Sequence, residues 1–198
     1  MIRVPPAEFA RLPLRVHALL ADVPLRDVSA VDLPGGGPHR SVGDVRAVIP
    51  LGTASVNPVV RLLFSIRWAI GRVFHWDDRE LAARDSFVSR LTAEDLARSR
   101  RPAGASDGEF CAVYEFEHEA LTEVRNATVH AFLATALVAT AEGYRLYLAV
   151  YVRRVSWLTT PYMAVIEPFR RFIVYPAMLR RIRAHWAQRY AAHDDATS

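Results

Sequence analysis

Two long runs of alternating residues, Thr128 to Ala139 and Tyr144 to Arg154, are separated only by Thr140-Ala141-Glu142-Gly143. No other feature limits the fold of this chain so tightly, because strict alternation is the period of a strand and a four-residue link containing glycine joins antiparallel neighbours. Pairing Ala139 with Tyr144 sets Ala136 opposite Tyr147, Phe132 opposite Tyr151 and His130 opposite Arg153. Two faces separate. Val129, Ala131, Leu133, Leu137, Leu148, Val150 and Val152 form an aliphatic face suited to a core. Thr128, His130, Phe132, Ala134, Ala136, Tyr147, Ala149, Tyr151 and Arg153 form a mixed one, with small alanines between the large side chains.

The segments around the hairpin complete an α+β pattern: an antiparallel sheet with a long C-terminal helix packed on it. Asp27 to Leu33 alternates and stops at Pro34-Gly35-Gly36-Gly37-Pro38, so it reads as a half-buried strand ending in a flexible turn. Phe110 to Phe116 and Ala120 to Arg125 add two more strands, making about five. Asn57-Pro58 opens a helix whose apolar stripe runs Leu62, Ile66, Ala69, Ile70, Val73, and further helices start near Asp77 or Asp78 and at Thr92 with Asp95. Thr159-Thr160-Pro161 opens a terminal helical region, kinked by Pro168 and Pro176. Its seam of Phe172, Tyr175, Leu179, Ile182, Trp186 and Tyr190 recurs every three or four residues, with Arg180, Arg181, Arg183 and Arg189 largely off it. Residues 1–26 read as a lead-in segment with a short helix near Val16 to Ala21, residues 102–108 as a flexible loop and residues 191–198 as a polar tail.

A chain of 198 residues with 52% hydrophobic and 23% charged content fits one domain that folds unaided. The lone Cys111 forms no intramolecular disulfide, and the first residues carry Arg3, Pro5, Pro6 and Glu8 in place of an apolar export segment, so a cytoplasmic location is expected. Val155 to Leu179 contains Glu167, Arg170 and Arg171 as well as prolines and fails as a membrane span. All 25 basic residues are arginine. That excludes Schiff-base chemistry, a phosphate-loop lysine and a lysine general base. The glycine run is therefore no phosphate cradle. A net charge of +4 spread along the chain, with no accompanying motif, argues against nucleic acid as a partner.

Several stretches resemble a bacterial group, the domain-of-unknown-function family 2867. They are Val28-Ser29-Ala30-Val31-Asp32-Leu33-Pro34-Gly35, Leu63 to Arg72, Arg125-Asn126-Ala127-Thr128-Val129-His130-Ala131-Phe132, Ser156 to Met163 and Pro168 to Pro176. The resemblance implies a fold similar to helix-grip proteins, the START-like class that includes lipid carriers and polyketide cyclases. It brings no activity, cofactor or catalytic residue. The order of strand, helices, strands and terminal helix agrees with that class, while its complete sheet has six or seven strands where about five are read here.

The mixed hairpin face carries the candidate chemistry. If it lines a cavity, His130 moves a proton while Tyr147, Tyr151 and Arg153, with Phe132, orient a polar group of an otherwise apolar ligand. If the aliphatic face packs under the terminal helix instead, the mixed face is an outer surface, solvated or pairing two copies of the chain; burying Arg153 without a partner would cost several kcal/mol. Glu115, Glu117, His118 and Glu119 read as a polar turn. His118-Glu119 lacks the His-Glu-x-x-His spacing, so no metal is assigned, nor any cofactor. Three functions stay open: binding a small, mostly apolar molecule between sheet and terminal helix, a cyclase, isomerase or hydrolase acting in the same cavity, and an assembly or peripheral membrane role.

Overall fold

The computed structural model describes residues 2–48, 86–107, 110–125, 129–155 and 174–190, with residues 164, 167, 168 and 172. The helices expected from Asn57-Pro58 and from Asp77 or Asp78, the Thr159-Thr160-Pro161 start, Thr128 and the 191–198 tail lie outside them. An antiparallel sheet forms the centre of the fold, its strands lying in the spatial order 2–3, 25–34, 143–154, 129–140, 119–125, 110–115 and 106–107. Its five long strands are β2 (Leu25–Pro34), β4 (Phe110–Glu115), β5 (Glu119–Arg125), β6 (Val129–Thr140) and β7 (Gly143–Arg154). Two-residue strands, β1 (Ile2–Arg3) and β3 (Ser106–Asp107), extend its edges.

The β6–β7 hairpin has the register read from the sequence: Ala139 opposite Tyr144, Ala136 opposite Tyr147, Phe132 opposite Tyr151 and His130 opposite Arg153. The link is tighter than expected, since Thr140 and Gly143 already pair. Gly143 has φ +139°, and a Cβ there would lie 2.4 Å from the Leu33 carbonyl oxygen. Only glycine lets the end of β2 come this close.

On the aliphatic side lie α3 (Val42–Val48) and the terminal helix α5 (Tyr175–Tyr190). Leu179, Ile182, Trp186 and Tyr190 of α5 join Val31, Leu33, Val42, Val45, Leu137, Leu146 and Leu148 in one buried cluster. Trp186 is fully buried; its Nε1–H donates to the Pro34 carbonyl at 3.2 Å. Gly36, at φ +102°, passes so near that a Cβ would meet the indole at 2.9 Å. The glycine run, expected to be a flexible turn, is thus a fitted seat for Trp186, held also by the Tyr144 hydroxyl donating to the Gly37 carbonyl at 2.8 Å. The seam starts later than the spacing suggests. Phe172 is 68% exposed, and α5 begins at Tyr175 with Pro176 in its first turn, where the missing N–H costs nothing.

The mixed side is neither an outer surface nor empty. The segment 1–26, read as a lead-in, contains α1 (Pro6–Ala10) and, where a short helix near Val16 to Ala21 was expected, α2 (Arg15–Leu19); together they deliver Phe9, Val16, Leu19 and Leu20 onto Ala134, Ala136, Ala149, Tyr147 and Tyr151. The room left by the alanines is filled by this layer. A 3₁₀ turn (Phe87–Arg90) and α4 (Ala93–Arg98) complete it, α4 opening with the Thr92/Asp95 capping box that the sequence predicts. The 102–108 region, expected to be a loop, holds a turn and then β3, which pairs with β4. Among the described residues no helix is long and apolar enough to cross a membrane.

Candidate functional site

Cross-strand pairing carries the mixed face beyond the hairpin in four rows. Ala30, Tyr147, Ala136 and Glu119 form one; Val28, Ala149, Ala134 and Leu121 the next; then Leu25, Tyr151, Phe132 and Glu123; then Arg153, His130 and Arg125. His130, Phe132, Tyr147 and Tyr151 are brought together and buried, whereas Arg153 stays exposed at the sheet end, as the cost of burying an unpaired guanidinium demands. All of them lie on the face opposite α5. The candidate residues therefore do not face the space between sheet and terminal helix, because alternation sends even-numbered β6 residues to the N-terminal layer and odd-numbered ones to α5.

His130 is 1% exposed. Its Nε2 shares a 2.9 Å hydrogen bond with Glu123 Oε2, its ring meets the Phe87 edge at 5.4 Å between centroids and tilts over Phe132 at 4.3 Å. Glu123 also accepts from the Ser86 hydroxyl and, at 3.2 Å, from the Phe87 backbone N–H. This is not the serine–histidine–carboxylate order of a nucleophilic triad: the carboxylate stands between serine and imidazole, so the imidazole does not touch the Ser86 oxygen. The group anchors the 3₁₀ turn to the sheet.

Glu119, four residues earlier on the same face of β5, does the same for α2. Its carboxylate accepts the Arg15 backbone N–H at 2.9 and 3.0 Å, supplying the cap that Leu14 lacks. Burial pushes its carboxyl above the usual range, partly offset by those N–H groups. Burial, with the nearby Glu119 charge, likewise raises the Tyr114 hydroxyl. Arg15 then turns its guanidinium onto Asp95, with Nε and Nη2 within 2.9 to 3.2 Å of the carboxylate, and holds that carboxyl down at about 2. Tyr147 donates to Glu8 at 2.8 Å, and burial raises the Tyr147 hydroxyl and pushes Tyr151 up to about 12. Every polar group here that the geometry pairs is tied to a layer of this same chain.

Sequence reasoning placed Glu119 in a polar turn. The turn is real, with Glu117 and His118 exposed, but Glu115 and Glu119 on either side of it are buried. Glu115 faces the other way and accepts Arg46 Nε at 3.0 Å. The missed signal is the two-residue spacing of Glu117, Glu119, Leu121 and Glu123, in which carboxylates recur in phase with an apolar strand position.

On the α5 side the aliphatic face is covered unevenly. Over β2 and β7 it is closed by α3, α5 and, at Val150 and Val152, by Tyr175. Over β5 and β6, Thr122, Val124, Ala131, Leu133 and Thr135 remain half-buried although both strands lie inside the sheet. Cross-strand pairs Thr122–Leu133 and Val124–Ala131 make these residues one contiguous floor. Two threonine hydroxyls border an apolar strip beside the start of α5.

Residues 19–177 match the family described as Protein of unknown function (DUF2867). No curated protein and no solved structure matches the chain.

Proposed function

The chain belongs to the DUF2867 family of proteins of unknown function, and from that premise we propose that it binds a small, mostly apolar molecule on the β5–β6 floor beside α5. The observation that carries the reading is that Val124, Ala131 and Leu133 are only half-buried in the interior of the sheet, whereas Leu146, Leu148, Val150 and Val152 on the same face of the neighbouring β7 are buried. Covering apolar area contributes roughly 25 cal/mol per Å², so a bound hydrocarbon gains what the protein's own side chains leave unused. Thr122 and Thr135 give such a molecule polar contacts at the rim.

A likeness to helix-grip carriers is part of this proposal. It is supported by the chain order of strand, helices, antiparallel strands and terminal helix, and by β2 lying beside β7, so that the first long strand closes on the last. The proposal places the protein in the cytoplasm, where the single half-buried thiol of Cys111 stays reduced. Acid–base chemistry at His130, the cyclase, isomerase or hydrolase alternative, requires the Phe87–Arg90 turn to lift, since Phe87 covers the ring.

Titration with the uncharged dye Nile red tests the site. Saturable binding is expected, weakened at least ~tenfold by Leu133→Trp, which fills the floor, and unchanged by Tyr151→Phe on the opposite face. Absence of saturable binding, or equal effects of the two changes, overturns the proposal. A shift in sedimentation with Leu133→Trp and no dye effect would reassign the floor to pairing between two copies of the chain.

A further inference from the structure

We propose that the outward face of α5 docks the protein onto an anionic membrane surface. Around the helix, at about 100° per residue, the buried seam of Leu179, Ile182, Trp186 and Tyr190 occupies one side. Arg180, Arg181, His185 and Gln188 point away from it, and Arg183 and Arg189 flank it; all six are exposed. No acidic residue occurs between Tyr175 and Tyr190.

Five arginines elsewhere among the described residues meet carboxylates: Arg15 with Asp95, Arg46 with Glu115, Arg90 with Asp22, Arg100 with Glu117 and Arg145 with Glu8. Among the described residues the four arginines of α5 form no ion pair. Arg180 Nε donates to the Pro176 carbonyl at 3.1 Å, and Arg189 lies 5.7 Å from the Tyr190 ring centroid. Four charges of one sign spread around the exposed side of one helix, each on a long stem that can reach toward a common plane, make a surface that anionic headgroups neutralise.

Phe172 decides between a membrane and a nucleic acid. It is 68% exposed and lies three residues before α5, so a large apolar side chain is presented close in the chain to the arginines. A bilayer interface accepts such a side chain into its acyl boundary. Because the apolar seam of α5 is already spent on the sheet, attraction comes mainly from the arginines, with Phe172 as a wedge, and binding is correspondingly salt-sensitive. This inference is independent of the β5–β6 floor.

Co-sedimentation of the full chain with phosphatidylcholine vesicles, with and without phosphatidylserine, tests it. Binding to the phosphatidylserine vesicles alone is expected, suppressed by added salt. Reversing Arg180 and Arg181 to glutamate should lower partitioning at least ~tenfold, each near-surface arginine contributing roughly fivefold. Phe172→Leu should retain binding and Phe172→Ser weaken it, because insertion needs only apolarity. Circular dichroism checks that each variant, altered at an exposed position, is folded. No binding to anionic vesicles, or indifference to the double reversal, overturns the proposal. So does tighter capture of single-stranded RNA that Phe172→Leu abolishes, since stacking on bases requires the ring.

Discussion

The layer made by α1, α2, the Phe87–Arg90 turn and α4 is fastened to the sheet by buried polar anchors, whereas α5 is fastened by a seam of apolar side chains that leaves part of its face uncovered. The difference follows from length. Helices of five residues have little stability of their own and little apolar surface, so each needs a partner for its free N–H groups at a fixed place. Glu119 and Glu123, four residues apart on β5, supply such places for α2 and for the Phe87–Arg90 turn, while Tyr147 holds Glu8 of α1, and so they specify which segment sits where. A helix of 16 residues needs no such device. Polar anchoring gives position at the cost of desolvated carboxylates; apolar packing gives stability and can leave part of the sheet uncovered, and over β5 and β6 that part is the half-open floor.

If that contrast is right, the largest losses come from the two best-filled positions. Trp186→Ala should destabilise by about 3–5 kcal/mol, since the fully buried indole also occupies the Gly36 seat, and Phe132→Ala by a similar amount on the opposite face. Denaturant midpoints measure both. An unshifted midpoint for Trp186→Ala would mean that α5 contributes nothing to the core.

Glu123→Leu ranks next, at about 1–3 kcal/mol, because it removes the acceptor of Ser86, Phe87 N–H and His130 together. Its signature is local: amide exchange should quicken from Phe87 to Arg90 more than in α5. Uniform quickening would show that Glu123 is a general stabiliser and not an anchor of one turn.

The Arg15–Asp95 pair makes the same contrast titratable. Asp95 is depressed to about 2, so its contribution is fully present above the unfolded carboxylate value of about 3.9 and is lost as pH falls towards 2. Roughly 2 kcal/mol of acid lability should disappear in Asp95→Asn, whose stability is lower at neutral pH but flatter between pH 4 and about 2. Glu119 has the opposite sign. Its raised carboxyl holds a proton in the folded chain where the unfolded chain has released it, so its contribution declines as pH rises above the ordinary carboxylate range. Parallel acid curves for the parent and Asp95→Asn would remove Asp95 from the polar anchoring.

Legibility in the sequence divides along the same line. The β6–β7 register, the two hairpin faces, the Thr92/Asp95 cap and the Leu179-Ile182-Trp186-Tyr190 seam were all readable, because each is a local pattern with one dominant period. Of the N-terminal layer the short helix near Val16 and the α4 start were read, but neither α1 nor the packing of the layer on the sheet, since five-residue helices are shorter than the window in which a 3.6-residue period declares itself. Nor were the anchors: a glutamate in a strand reads as solvent-facing until the N–H groups it meets, 104 positions away for Arg15, are known. The pairing of candidate residues with a terminal-helix cavity failed for a geometric reason, as His130, Phe132, Tyr147 and Tyr151 have the strand parity that faces away from α5.

The smallest effect is the most informative about function, because it compares neighbours in sequence. Phe132 and Leu133 stand on consecutive positions of β6 and point to opposite faces, one closed and one half-open. Loss of a side chain that already touches water forfeits less transfer energy, and solvent relieves the void it leaves, so Leu133→Ala should cost under about 1.5 kcal/mol against about 3–5 for Phe132→Ala. Equal costs would mean that the floor is as well packed as the core, removing the structural basis for a ligand there. A bound apolar molecule sharpens the comparison further. At saturating Nile red the parent should gain stability by mass action, Leu133→Ala should gain less, and Phe132→Ala should gain as much as the parent, since the dye is proposed to touch only the odd-numbered side of the strand.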